Sequence, residues 1–243
     1  EWEVQTQLVR RARRLVPRLW VVVDPVLAAS GGEELTSAAA RRALAEDLLA
    51  QRGVTVTYET IRHWCQTFGP AYARRLRHRR GRLGDTWYLD ELFVRIQGRQ
   101  QYLWRAVDED GDVLDILVQS RRHRRAATPL FRKLLRRQGC EPRRLITDKL
   151  RSYSAAHCTV MPSVIHSTRQ YENNRAEVSH QPTRQRERQM RRFKSAAHLQ
   201  RFASVHGVVQ NLFRVGRHLL RAAHYRLLRA RSFRLWDEVT CAC

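Results

Sequence analysis

Three acids set among arginines are the residues of this sequence with chemistry to offer. Asp90 stands in the middle of an otherwise apolar run, TWYLDELFVRI. Asp148 ends the run RRLITD, and Glu177 follows Asn173-Asn174, a helix start, in the stretch YENNRAEVSHQPTRQRERQMRRF. Taken singly, each has an ordinary explanation. Helix acids pair with cations four residues away, and an aspartate at a strand end caps a turn. Their joint occurrence beside arginine-rich segments suits phosphodiester transfer, which needs an attacking oxygen activated and a leaving oxygen stabilised. Two Mg²⁺ ions about 3.5–4 Å apart do both, and such hard cations take oxygen ligands. Arginines then hold the flanking phosphates that carboxylates alone repel. Lys149, Arg186 and Arg188 are the candidates for that role. Of the neighbouring acids, Glu187 reads as a charge-paired helix residue and Glu172 as a solvent-facing residue ahead of the helix.

The bulk composition agrees with a polyanionic partner. Across 243 residues, 46 Lys and Arg face 23 Asp and Glu, a net charge of +23. A field of that sign and size favours nucleic acid. The hydrophobic fraction, 43%, is ample for a buried core. The longest apolar run, LWVVVDPVLAA, is broken by Asp24 and Pro25 and falls well short of the roughly 20 residues that span a bilayer, so no membrane partner is expected. Five scattered cysteines point to a reducing cytoplasm. The chain begins at Glu1, which suggests a truncated or frameshifted start.

The elements that must position the acids can be read along the chain. Residues 1–32 have neither helical period nor strand alternation. SAAARRALAEDLLAQRG has helical spacing and stops at Gly53. Thr57 is a fitting N-cap for a second helix with Ile61, Trp64, Cys65 and Phe68 on one face. Gly69-Pro70 punctuates it, and a third, basic helix follows. Helix, short turn and helix with exposed polar positions is a helix-turn-helix pattern, and a plain helical hairpin shares it. Tyr58, Arg62 and His63 are its candidate base contacts. After Gly84 the period changes to that of strands. TWYLDELFVRI, QQYLWRAVD and DVLDILVQS are separated by turns at Gln97-Gly98-Arg99 and Glu109-Asp110-Gly111. A basic helix over about 123–137 closes at Gly139, RRLITD gives a fourth strand, and a long helical tail runs to about Trp236. The expected class is α/β with a mixed sheet.

YLDELFVRIQGRQQYLWRAVDEDGDVLDILVQSRR, LITDKLRSY and NNRAEVSHQPTRQRERQMRRFKS, in that order, resemble the catalytic core of DDE transposases of bacterial insertion sequences, closest to the insertion-sequence-six family. LLAQRGVTVTYETIRHWCQTFGPAYARRLR resembles that family's helix-turn-helix. The resemblance covers about residues 43–240. It implies a ribonuclease H-like fold, with residues 33–80 binding DNA and 81–243 forming the catalytic domain with basic C-terminal helices. It implies Asp90, Asp148 and Glu177 as catalytic metal ligands for two Mg²⁺ ions (Mn²⁺ may substitute). Arg184 is the basic residue two helical turns beyond the glutamate. The partners implied are the terminal inverted repeats of an element and target DNA, with homo-oligomers assembled on the DNA and a cytoplasmic, nucleoid-associated location. Pro182 interrupts the helix that should carry Glu177 and Arg184. An inactive remnant that still binds DNA is the alternative.

Overall fold

The computed structural model of the protein describes residues 57–81, 84–189, 192–215 and 220–241. The segment 1–32 and the first helix of the expected helix-turn-helix lie outside the described residues, as do the side chains of Tyr58 and Arg62. Two compact units are present: Arg80–Asn211, and the helix before it together with the chain from Leu212 on.

The first unit is built on five strands: β1 (Thr86–Ile96), β2 (Arg99–Val107), β3 (Val113–Gln119), β4 (Arg144–Thr147) and β5 (Ile165–Ser167). Their spatial order is β3-β2-β1-β4-β5. β1–β2 and β2–β3 are antiparallel, whereas β1–β4 and β4–β5 are parallel. A meander followed by parallel strands on its far side is the mixed sheet that the strand pattern predicts and the ribonuclease H-like arrangement that the family resemblance implies. The first hairpin turns at Gln97-Gly98, both with positive φ (48° and 77°), as a two-residue turn matched to strand twist requires. At the second, the Asp108 carboxylate accepts the backbone N–H groups of Asp110 (3.1 Å) and Asp112 (2.8 Å), and Gly111 takes a φ of 83°.

Because side chains alternate along a strand, the sheet has two apolar faces. On one, Trp87, Leu89, Trp104 and Ala106 pack under helix α2 (Arg124–Gln138) through Leu130, Phe131 and Leu134. Helix α3 (Arg151–Val160) adds Tyr153 and Ala156 to that layer. Gly139 ends α2 in the left-handed region (φ 71°), donating its N–H to Leu135 O, the cap its position in the sequence implied. On the other face Leu92, Val94, Ile96 and Leu103 meet Ala176 of helix α4 (Asn174–Ser179) and Leu199 and Ala203 of helix α6 (Ala196–Phe213). Helix α5 (Gln181–Gln189) lies between them in sequence. The expected interruption by Pro182 is present as a boundary. α4 stops at Ser179, and Pro182 falls in the first turn of α5, where its missing N–H has no intrahelical partner to lose. α6 is stitched to β3 by side-chain amides: Asn211 bonds both N–H and C=O of Val113, and Gln200 accepts the Val118 N–H.

In the second unit, helix α1 (Tyr58–Arg79) and helix α7 (Ala222–Cys241) pack together. The Thr57 hydroxyl accepts the Thr60 N–H, as expected of an N-cap. Two sequence expectations fail here. Gly69-Pro70 does not divide the chain into two helices, because α1 runs through Pro70. An interior proline costs about 3 kcal/mol, and the buried stripe Tyr72, Ala73 and Leu76 supplies a compensating interaction. Tyr72 packs edge-on to Trp236 at 6.0 Å, and Arg75 donates to Val239 O at 2.9 Å. The C-terminal tail is likewise two helices, α6 and α7, instead of one.

Candidate active site

Parallel pairing of β1 with β4 brings two aspartates together. Their last paired rung is Leu89↔Thr147, so Asp90 and Asp148 are the next residues on neighbouring strands running the same way. β4 ends there while β1 continues, so Asp148 lies just beyond the carboxyl end of β4, the position at which α/β sheets gather ligands. Oxygens of Asp90, Glu91 and Asp148 lie within 4.8 Å of one another. Three hard oxygen donors at that separation suit one or two divalent cations.

The electrostatics of the cluster favour an added cation. Burial raises the Asp148 carboxyl above the usual range; the Leu150 N–H, bonded to Oδ1 at 3.0 Å, opposes the shift and the Asp90 charge reinforces it. Glu91 is pushed up to about 7, first by burial and then by the Asp148 charge. Its Oε2 accepts the Tyr153 hydroxyl at 2.9 Å, and its Oε1 pairs with Arg122. The same Arg122 nitrogen is 3.6 Å from Asp148 Oδ2. Asp90 is approached by His180, whose Nε2 is 3.4 Å from Oδ2. Burial lowers the His180 pKa despite that carboxylate. The Asp90 and Asp148 oxygens are hard donors that fit a divalent cation.

Helix α4 is fastened to the strand that carries Asp90. Asn173 donates its amide to Leu89 O at 2.9 Å, and Ala176 is fully buried in the second apolar layer. Arg105, the cross-strand partner of Asp90, is 3% exposed and donates to Ser179 O and to the Thr183 hydroxyl, spanning the α4–α5 boundary.

Of the residues expected from sequence, Asp90 and Asp148 meet. Glu177 is an exposed residue of α4 and is not among the clustered carboxylates. Arg184 is exposed on α5 and pairs with Glu187 at 3.6 Å. That contact gives Glu187 the charge pairing expected of it. Glu172 does not point freely to solvent; it binds Arg144 (3.0 Å) and the Ser167 hydroxyl (2.6 Å), linking it to β4 and β5. Lys149 is exposed beside Asp148, Arg188 is exposed on α5, and His63 is exposed on α1. Arg186 is half-buried, and desolvation lowers its pKa to about 10. Glu91 was missed. Alternation assigns it to the face opposite Asp90, and its only sequence signal is that it directly follows Asp90.

The model of the DDE domain family matches residues 84–216, and the chain belongs to this family, the DDE transposases of insertion sequences. Similar proteins include the transposase for insertion sequence-like element IS431mec of Staphylococcus aureus, 30% identical over 139 residues. The transposase for insertion sequence element IS257 in transposon Tn4003, from the same species, matches to the same extent. In each case the match covers 55% of this chain and 62% of the relative, so the chain spans less than two thirds of the curated relatives it matches. Among solved structures, the catalytic core domain of BIV integrase aligns with a TM-score of 0.35 and 15% identity, over 62% of this chain and 98% of that one. Among the described residues no helix is long and apolar enough to cross a membrane.

Proposed function

We propose that the protein is a transposase that binds the ends of an insertion sequence, cleaves DNA there and joins a 3′-hydroxyl to a target phosphodiester. The observation that carries this reading is the in-register placement of Asp90 and Asp148 at the end of the β1–β4 ladder in a chain of net charge +23. Asp90 and Asp148 would hold Mg²⁺ or Mn²⁺, with Glu177 of α4 completing the set. Bound there, a pair of such ions would activate the attacking oxygen and stabilise the leaving one. The remaining work belongs to the side chains. His180 lies 3.4 Å from Asp90 Oδ2. Arg184, Lys149, Arg186 and Arg188 offer cations to phosphates on either side of the scissile bond. The tether from Asn173 to Leu89 O keeps the helix of Glu177 beside the strand of Asp90.

In this reading residues 33–80 form the helix-turn-helix that recognises terminal inverted repeats through Tyr58, Arg62 and His63. Residues 81–243 form the catalytic domain with its basic C-terminal helices, and copies of the chain assemble on the DNA, at the nucleoid. The test is strand transfer by the purified protein on linear DNA carrying element ends, with and without Mg²⁺. Joined products that need the metal support the reading. End-specific binding without cleavage or joining would leave a DNA-binding remnant in its place.

A further inference from the structure

The acidic cluster contains a carboxylate that is already spoken for. Glu91 has 1% of its side chain exposed, and both of its oxygens are engaged: Oε2 by the Tyr153 hydroxyl, Oε1 by Arg122. Tyr153 is itself completely buried, between Trp104 and Phe131, so the anchor is rigid. Arg122 is differently placed. It lies between β3 and α2, keeps 34% of its side chain exposed, and sits over the Phe93 ring with its guanidinium carbon 5.2 Å from the centroid. Its contacts to Glu91 and to Asp148 both use Nη2. A guanidinium has five N–H donors in a planar fork suited to phosphate oxygens. The geometry therefore holds Nη2 against a buried carboxylate and 3.6 Å from Asp148 Oδ2, while about a third of the side chain stays exposed.

We infer that Glu91 is not a metal ligand but the anchor of Arg122, and that Arg122 grips an oxygen of the DNA phosphodiester bound beside Asp148. Tyr153, Glu91 and Arg122 then form one relay from core to substrate. Tyr153 fixes the Glu91 carboxylate, and Glu91 fixes the guanidinium. Glu91 and Tyr153 are positioning residues, whereas Arg122 touches the substrate. This inference rests on the proposed DNA-processing role of the site.

The experiment compares the wild-type chain with R122A, E91Q, Y153F, D90N and the double variant E91Q/R122A. Mn²⁺ binding is followed by electron paramagnetic resonance, and affinity for a linear duplex by fluorescence anisotropy in EDTA. R122A should weaken DNA binding about tenfold, the loss of one charge-assisted hydrogen bond, and leave Mn²⁺ affinity unchanged or higher, because a nearby cation has gone. E91Q should reproduce the DNA defect with Mn²⁺ affinity within about twofold of wild type, and the double variant should be no worse than R122A alone, as members of one unit behave. Y153F, which removes only the far hydrogen bond, should shift DNA affinity in the same direction, and it serves in place of E91Q if that variant does not fold. If E91Q loses Mn²⁺ as D90N does, Glu91 is a ligand and the inference is overturned. Unaltered DNA affinity in R122A, or additive defects in the double variant, overturn it equally. A wild-type chain that binds neither Mn²⁺ nor DNA sinks the transposase reading itself, and this inference with it.

Discussion

Asp90 and Asp148 stand one residue beyond the same rung of the β1–β4 ladder, Leu89↔Thr147, although 57 residues separate them in the chain. Backbone register, and not side-chain reach, sets their proximity. An isosteric change at either position therefore alters the chemistry without disturbing the scaffold. Asp90→Asn and Asp148→Asn should fold as the parent does and keep DNA binding, yet lose Mg²⁺- or Mn²⁺-dependent cleavage and joining by at least about 10²–10³-fold, the scale seen when one electrostatic stabiliser is removed. Glu177→Gln should behave alike. Glu172→Gln and Glu187→Gln should retain most activity; retention of full activity by Glu177→Gln would remove it from the ligand set. Product formation on labelled DNA ends is the readout.

Arg105 provides a test of how the site is framed. It is buried opposite Asp90 and supplies donors to Ser179 O and the Thr183 hydroxyl. Replacing it with alanine orphans both acceptors. Hydrogen bonds to charged groups contribute about 1.5–3 kcal/mol, so Arg105→Ala should lower stability by about that amount in urea denaturation. Because the lost bonds cross the α4–α5 boundary, amide exchange should speed up most between Asn173 and Thr183.

His166 gives the protein an acid-sensitive seam between β4 and β5. The imidazole is bonded to the Thr147 hydroxyl at 2.9 Å and lies 4.8 Å from the His157 ring. Burial, followed by the His157 charge, lowers its pKa from 6.5 to about 4. The unfolded chain therefore takes up a proton below about pH 6.5 that the folded chain refuses until near pH 4. Its contribution to stability is complete above pH 6.5 and declines as pH falls through that window. His166→Gln, which keeps a hydrogen-bonding side chain, should flatten this part of the stability–pH curve. An unchanged acid limb would show that other groups carry it.

Salt should weaken DNA binding steeply. From Val178 to Cys243 there are 14 Arg and Lys against 3 acids, or 14 − 3 = +11. Each phosphate contact removed, at Lys149 or Arg188 for example, should reduce the slope of log K against log salt by about 0.9 on duplex DNA. Anisotropy titrations over a range of KCl concentrations measure it directly, and a flat response would dispose of the electrostatic argument.

How much of this was legible in the sequence depends on length and period. β1, β2 and β3 are long enough to show strand character and are joined by turn residues, so their bounds and the Gln97-Gly98 turn could be read. β5 could not: three residues, Ile165–Ser167, are too few for any period to register, and the strand exists because β4 offers it a parallel edge. Pro70 misled because local propensity yields to the burial of Tyr72 and Leu76. Glu91 was passed over for a related reason. Alternation correctly sends its side chain to the far face from Asp90, but it cannot foresee that a long carboxylate near the end of the β1–β4 ladder brings an oxygen within 4.8 Å of both aspartates. Glu172 was misjudged because its partners, Arg144 and Ser167, come from strands that only the folded sheet brings near.

The mixed direction of the sheet also imposes a timetable. β1, β2 and β3 pair through short hairpins, contacts between near neighbours in the chain that close quickly. β4 can join only after the chain has passed through α2 and come back to the opposite edge of β1, a slower, non-local closure. Asp148 arrives with that late strand. A nascent chain would thus hold a nearly complete meander, with Asp90 in place, well before it had a second aspartate to set beside it. On the proposed reading, a product interrupted before residue 148 would lack one of the two aspartates and should show no metal-dependent chemistry on DNA.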